Sequence, residues 1–253
     1  MDTVAEFRST WARGVVVVLA ALVAVPAGLS AQNRDYLLGA PFGSFTVRGG
    51  MSIARAGSDL FDEITRDYTL ERSDFIGFSG DADLAIRVAP RFDIVLSGGY
   101  KRSSAQSEYR EYEGTDDLPI AQSTQLTTVP LTVSVKAYLT DRGESFGRYA
   151  WVPTRWSPYL GAGGGALWYR FRQEGEFIFF ETLDIFRDQL VSDGWTGTWH
   201  VLGGLEYALG PRFALVGEAK YSFASAEMNQ DFLGFEPIDL SGLHTTIGFN
   251  VRF

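Results

Sequence analysis

The sequence predicts an all-β fold, an eight-stranded antiparallel up-and-down transmembrane β-barrel that follows a cleaved signal peptide. Three observations predict it: an apolar run near the amino terminus, eight later segments that alternate apolar and polar residues, and links that alternate between short turns and long polar loops. The 253 residues, with 28 Gly and 45% hydrophobic content, suit one β-rich domain or two small ones.

Residues 1–31 have the layout of a secretory signal peptide. Arg8 and Arg13 form a positive region, and Gly14–Val25 is an apolar run of 12 residues. A spanning helix needs about 20 residues, although an uncleaved membrane anchor remains the alternative. Cleavage after this segment would leave residues 32–253 as the barrel domain.

The eight alternating segments predict strands, because successive side chains of a strand point to opposite faces. The last segment is the clearest, since Ile247, Phe249, Val251 and Phe253 share one face and polar residues share the other. In the fifth segment, the apolar face is predicted to carry Tyr159, Leu167, Tyr169 and Phe171. The segments begin at Ser44, Ile76, Phe92, Val129, Tyr159, Trp199, Phe213 and Leu243.

The links predict which end of the barrel faces which compartment. Pro-Arg-Phe occurs in two short turns, at Pro90 and at Pro211, and four other links are long and polar. Short periplasmic turns and long outer loops are typical of outer-membrane barrels. The link Asp141–Ser157 breaks this alternation, so it is either an extended hairpin or a missed strand pair, which leaves eight or ten strands possible.

The polar faces of the predicted strands carry charged residues. A soluble ligand-binding barrel would place its apolar face inside, where many buried ions would be prohibitive. A barrel with lipid outside and ion pairs inside avoids that cost, so we expect a plugged lumen, with Glu206 as a partner of Lys220. The predicted lumen charge network comprises Arg48, Asp81, Asp83, Arg87, Lys101, Lys136, Arg170, Glu206, Glu218, Lys220 and Arg252, and Asp93, Arg172, His200, His244 and Asn250 lie on the same predicted face.

The signal peptide, the alternation, the Pro-Arg-Phe turns and the final strand together resemble small bacterial outer-membrane β-barrels of the OmpA/OmpX-like superfamily. The resemblance implies a location in the outer membrane, as a monomer in contact with lipid and lipopolysaccharide. It also implies that Ile247, Phe249, Val251 and Phe253 form the signal that the barrel-assembly machinery recognises. A nucleic-acid partner is not expected, because the net charge is −9 and nucleic acids attract basic surfaces.

Catalytic, cofactor and metal sites are not predicted. The sequence has no cysteine, which excludes disulfides and thiol chemistry. Only His200 and His244 offer an imidazole base, and neither has a serine at a suitable spacing. Acidic clusters at Asp59, Asp62 and Glu63, or at Asp116 and Asp117, have the oxygen ligands of a calcium site, but solvated loop acids explain them better.

The predicted function is a structural or surface-interaction role for a barrel whose lumen is plugged by paired charges. The alternative is a narrow channel for ions or for small hydrophobic solutes, as in OmpW-like barrels, and a lipid-modifying enzyme ranks below both. Two apolar loop clusters, Phe177–Phe180 and Phe232–Phe235, would either pack against each other, form an exposed adhesive tip or provide a lateral entry.

Overall fold

The computed structural model describes residues 37–113, 119–147, 150–179 and 184–253. The predicted signal peptide, the loop acids Asp116 and Asp117, and Phe180 lie outside the described residues. Within them, no helix is long and apolar enough to cross a membrane.

Eight long strands form one closed antiparallel barrel, which confirms the predicted eight-stranded up-and-down barrel. Each strand pairs with its neighbours in sequence, and the last strand pairs with the first. Phe253 completes the closure, because its backbone exchanges hydrogen bonds with Gly43. The strands are β1 (Gly43–Ala54), β2 (Ile76–Ala89), β3 (Phe92–Glu113), β4 (Pro119–Tyr138), β5 (Trp156–Phe179), β6 (Asp184–Ala208), β7 (Phe213–Phe223) and β8 (Gly242–Arg252).

The wall of the barrel is apolar outside and polar inside over most of its length. In β1, Val47 and Met51 point outward and are exposed, whereas Thr46 and Arg48 point inward and are buried. The same alternation holds in β8 and, apart from the inward Ala214 and Val216, in β7. The described surface therefore offers lipid a wall of aliphatic and aromatic side chains, as a transmembrane barrel requires.

The two ends of the barrel differ. At the turn end, short turns join β2 to β3 and β6 to β7. At the opposite end, called here the loop end, the links are longer, and β3 to β6 contain 20 to 25 residues each. A tilted strand crosses a bilayer in about 9–11 residues, so these strands extend well beyond it.

A hydrophobic cluster fills the barrel at the loop end. The amphipathic helix α1 (Asp59–Asp67), in the link between β1 and β2, inserts Leu60, Phe61 and Ile64 into it. Short 3-10 helices at Arg72–Phe75 and Gln230–Phe232 and a two-stranded ribbon, Ser225–Ala226 with Ile238–Asp239, complete the loops. The cluster comprises Ala56, Leu60, Phe61, Ile64, Leu70, Phe75, Leu126, Leu167, Tyr169, Phe171, Ala224, Ala226, Phe232, Ile238 and Leu240.

The predicted orientation of the fifth segment is wrong. Tyr159, Leu167, Tyr169 and Phe171 point into the barrel and are buried, whereas Arg170 points outward with a side chain that is 52% exposed. The prediction assumed one polarity along the whole strand. Leu167, Tyr169 and Phe171 belong to the loop-end cluster beyond the membrane span, where the outer face meets water, so there the apolar residues turn inward and the charged ones outward. Tyr159 lies within the span and faces the lumen, where its hydroxyl donates to Glu218.

The irregular link at the turn end is an extended hairpin and adds no strand to the barrel. Gly143–Phe146 pairs with Ala150–Pro153, which in turn pairs with Leu37–Leu38 in a separate three-stranded sheet. The hairpin places the Trp151 side chain in a buried position, 1% exposed. The alternative of ten barrel strands is thereby excluded.

Candidate functional site

The centre of the lumen contains two basic and two acidic side chains in mutual contact. Arg48 Nη1 pairs with Asp83 Oδ2, and Arg48 Nη2 lies 3.1 Å from Glu218 Oε1. Lys136 Nζ lies 3.5 Å from Asp83 Oδ2 and 2.9 Å from Glu218 Oε2. The Tyr159 hydroxyl donates to Glu218 Oε2 at 2.9 Å. We call Arg48, Asp83, Lys136 and Glu218 the central cluster.

The central cluster joins distant parts of the barrel wall. Its side chains come from β1, β2, β4 and β7, and β4 lies two strands from β2 and three strands from β7 around the ring. The Lys136 ammonium therefore reaches across the interior. An eight-stranded barrel is only wide enough to be filled by its own side chains, so a cluster of this span obstructs the lumen.

A second set of pairs lies towards the turn end. Arg252 Nη2 lies 3.0 Å from Glu206 Oε2, and the Tyr138 hydroxyl donates to Glu206 Oε1 at 2.6 Å. Arg142, from the irregular link, donates to both oxygens of Asp93, at 2.6 and 2.7 Å. A two-pronged guanidinium–carboxylate contact of this kind fixes geometry as well as charge, so the link is fastened to the barrel wall.

A third set lies on the loop-end side of the central cluster. Lys220 Nζ lies 3.4 Å from Asp81 Oδ1. Lys101 Nζ contacts His244 Nε2 at 2.6 Å, and His244 Nδ1 lies 3.0 Å from Ser52 Oγ. Lys101 is 5% exposed. Lys101, His244 and Ser52 therefore form a hydrogen-bonded chain beneath the apolar cluster, and Lys101 contacts an imidazole where the other lumen lysines contact carboxylates.

Not every residue of the predicted charge network lies in this lumen. Arg170 lies on the outer face, 3.9 Å from Asp193, and is removed from the network. Arg87 is half-buried at the turn end, where it donates to the carbonyls of Ala89 and Pro90. The predicted contact of Glu206 with Lys220 is wrong, because the register of β6 and β7 places Glu206 opposite Val216, four residues from Lys220. Lys220 pairs with Asp81 instead.

Sequence reasoning missed the contribution of the turn-end link. Arg142 and Trp151 lie in a stretch without strand alternation, so periodicity gave no signal for either residue. Tyr138 was detectable, because it lies two residues after Lys136 on β4 and so shares its inward face. All three residues are buried. Arg142 completes the ion pair of Asp93, and the Tyr138 hydroxyl donates to Glu206.

A row of inward-facing glycines lets side chains meet across β5. Gly163 lies between Ser134 on β4 and His200 on β6 in the strand register. With no side chain in the way, Ser134 Oγ and His200 Nε2 approach to 2.8 Å. A Cβ atom at Gly163 would lie 2.6 Å from Ser134 Oγ and would collide with the Val133 carbonyl oxygen. The glycine is therefore required by close packing.

Solved structures similar to this chain are bacterial outer-membrane barrels. For Neisserial surface protein A, the similarity covers 84% of this chain and 97% of that one, with 15% identity and a TM-score of 0.44. For OprG from Pseudomonas aeruginosa, it covers 86% and 99%, with 17% identity and a TM-score of 0.46. For Ail, the attachment invasion locus protein of Yersinia pestis, it covers 84% and 99%, with 12% identity and a TM-score of 0.40. No family model and no curated protein matches the sequence.

Every one of these TM-scores is below 0.5, so the similarities carry no conclusion about this chain. The class follows from the wall, which is closed, lipid-compatible outside and ionic inside. The chain is a transmembrane β-barrel of the outer-membrane type. Its outward β8 residues include Ile247, which is 68% exposed, and Phe249, which is 59% exposed, with Val251 and Phe253 on the same face.

The acidic residues considered for a calcium site, Asp59, Asp62 and Glu63, do not share a common ligand position, because Asp59 and Asp62 contact different partners. Asp59 accepts hydrogen bonds from the backbone of Leu60 and Glu236, and Asp62 pairs with Arg72. Glu63 lies beside them on the exposed face of α1. Among the described residues, no group of three or more His, Asp or Glu side chains is arranged to hold a metal ion.

Proposed function

We propose that this outer-membrane barrel is non-conducting and acts in the cell envelope through its outer surface and its loop end. The central cluster carries the proposal, because its ion pairs join β1, β2, β4 and β7 across the lumen. Opening a path there would leave buried charges without partners, which costs several kcal/mol per ion, on the order of the stability of a domain. The apolar cluster at the loop end and the Arg142–Asp93 pair at the turn end add further obstructions.

Planar-bilayer recording tests the closed lumen. We expect the folded protein to show no steady openings. The variant Lys136→Ser/Glu218→Ser removes one base and one acid, so it preserves net charge and should show openings that the parent does not. Steady, discrete openings of the parent protein would favour the alternative, a narrow channel for ions or small solutes, and would overturn the proposal.

We also propose that the barrel has no hydrolytic role. Two serine–histidine contacts support a structural use of the imidazoles instead: Ser134 with His200, and Ser52 with His244. Both histidines are buried inside the barrel, under the apolar cluster and away from lipid. Lipid A analysis of cells expressing the parent or His200→Ala should give identical profiles, and a difference would restore the enzyme hypothesis.

We further propose that the barrel-assembly machinery recognises this protein during its biogenesis. The protein would then insert as a monomer into a membrane that contains lipopolysaccharide. The outward row Ile247, Phe249, Val251 and Phe253 supports it, because an exposed aromatic and aliphatic stripe is available for recognition before the barrel closes. Phe253→Ser retains the backbone bonds to Gly43. We expect normal refolding of this variant into lipid vesicles but reduced insertion in cells, whereas equal insertion of both proteins in cells would contradict the proposed signal.

A further inference from the structure

The loop end contains a pocket of about 200 Å³ between α1, the extended ends of β3, β5 and β6, and the link from β7 to β8. We propose that this pocket binds a small organic cation of the quaternary ammonium type. The proposal names the ligand class for the surface role proposed above and does not depend on whether the lumen conducts. The side chains used in the argument are Glu63, Tyr68, Tyr109, Phe177, Asp231 and Phe235.

The charge of the pocket selects a cation. Glu63, Asp67 and Asp231 are its ionisable carboxylates, and none of the described residues that line it is basic. Asp67 is partly neutralised, because Arg66 Nε lies 3.0 Å from its Oδ1. Glu63 and Asp231 therefore supply the negative charge. An anionic ligand would be repelled by both, and a neutral one would gain no charge–charge attraction from them.

Asp231 is held in place by the barrel. Its Oδ2 accepts a hydrogen bond from the Val191 backbone at 3.1 Å, which uses one of its two oxygens. Phe232, the next residue, is buried against Phe171 with ring centroids 5.5 Å apart. The carboxylate therefore sits on an anchored segment, so a ligand would not have to order the loop before binding.

Aromatic side chains form much of the remaining wall. Tyr68 and Tyr109 meet edge to face, with ring centroids 5.0 Å apart, and Phe177 and Phe235 line the pocket with them. Gln122 donates to the Tyr68 hydroxyl at 2.9 Å, which fixes that ring. Burial raises the pKa of Tyr68 to about 12, so the phenol stays neutral. Aromatic rings with nearby carboxylates are the surroundings in which quaternary ammonium groups bind.

The probe is choline, which is compared with its neutral carbon isostere by ligand-observed NMR titration. The folded protein is kept in maltoside micelles, because detergents with phosphocholine headgroups would compete for the pocket. We expect saturable choline binding that is about tenfold tighter than binding of the isostere, since cation–π and carboxylate contacts together supply about one decade. Equal binding of both compounds, or no saturable choline binding, would overturn the proposal.

Charge variants separate this pocket from general surface charge. Glu63→Gln/Asp231→Asn should weaken choline binding about tenfold and leave the isostere unchanged. Glu227→Gln is the matched control, because it removes an exposed carboxylate at the same end that does not line the pocket, and it should retain the parent affinity. If the double variant does not fold, Glu63→Gln alone gives the same comparison on an exposed helix face. Failure of choline binding would leave the conductance result of the closed lumen unaffected.

Discussion

Within the membrane span the barrel carries charged side chains inside and apolar side chains outside, whereas at the loop end the same strands carry the reverse. Strand β5 shows both patterns, with Leu160 outward in the span, and Phe171 inward and Arg170 outward beyond it. The environment of the outer face decides the difference, because lipid requires apolar groups and water accepts charged ones. The lumen is then stabilised by paired charges and the loop end by an ordinary hydrophobic core.

If the lumen depends on pairing, removal of one central charge should have the largest effect. Arg48→Met leaves Lys136 as the one basic residue of the central cluster that pairs with Asp83 and Glu218. Because breaking a buried ion pair costs about 3–5 kcal/mol, we expect the free energy of unfolding to fall by about that amount. Urea unfolding in micelles, followed by gel mobility of heated and unheated samples, measures the loss.

The matched control for this prediction is Arg170→Met. It removes the same charge from the outer face, where the side chain is half-exposed, so we expect a change within about 0.5 kcal/mol. Equal losses for both variants would mean that burial and pairing do not distinguish the two arginines.

The loop end should weaken locally without unfolding the barrel. Leu70 is buried in the hydrophobic cluster, and replacing a buried leucine with alanine costs about 2–5 kcal/mol. Because the cluster lies beyond the span, Leu70→Ala should speed limited proteolysis of the loops while gel mobility of the folded barrel stays unchanged.

Leu233→Ala provides the comparison at the same end, since Leu233 is 79% exposed and should be replaceable without effect. A Leu70→Ala protein that loses its folded gel mobility would show that the two regions unfold together. In that case the lumen and the loop end would differ in the kinds of residues they contain, but they would unfold in one cooperative step.

The sequence was sufficient for the closed barrel and for the faces of β1, β2, β7 and β8, because apolar and polar residues alternate along most of each of these strands. It was insufficient for β5, where Gly161, Gly163 and Gly165 carry no side chain to mark a face and the polarity reverses beyond the span. The partners of each charged residue in the lumen also could not be predicted from the sequence. Contacts such as Lys101 with His244 join residues far apart in sequence across the interior, which neither spacing nor parity reveals.

The glycine row gives a smaller effect that tests the packing inside the span. Gly163→Ala would place a methyl group against the Val133 carbonyl and within 2.6 Å of Ser134 Oγ, so β4 and β5 must separate or Ser134 must leave His200. Overpacking of this kind costs about 1–3 kcal/mol. Gly217→Ala is the control, because a Cβ atom at that outward position meets no atom within 4 Å. Urea unfolding should therefore show a lower free energy of unfolding for Gly163→Ala than for the parent, and no change for Gly217→Ala. Equal stability of the two variants would mean that the barrel accommodates an added methyl group on its inner face as readily as on its outer face.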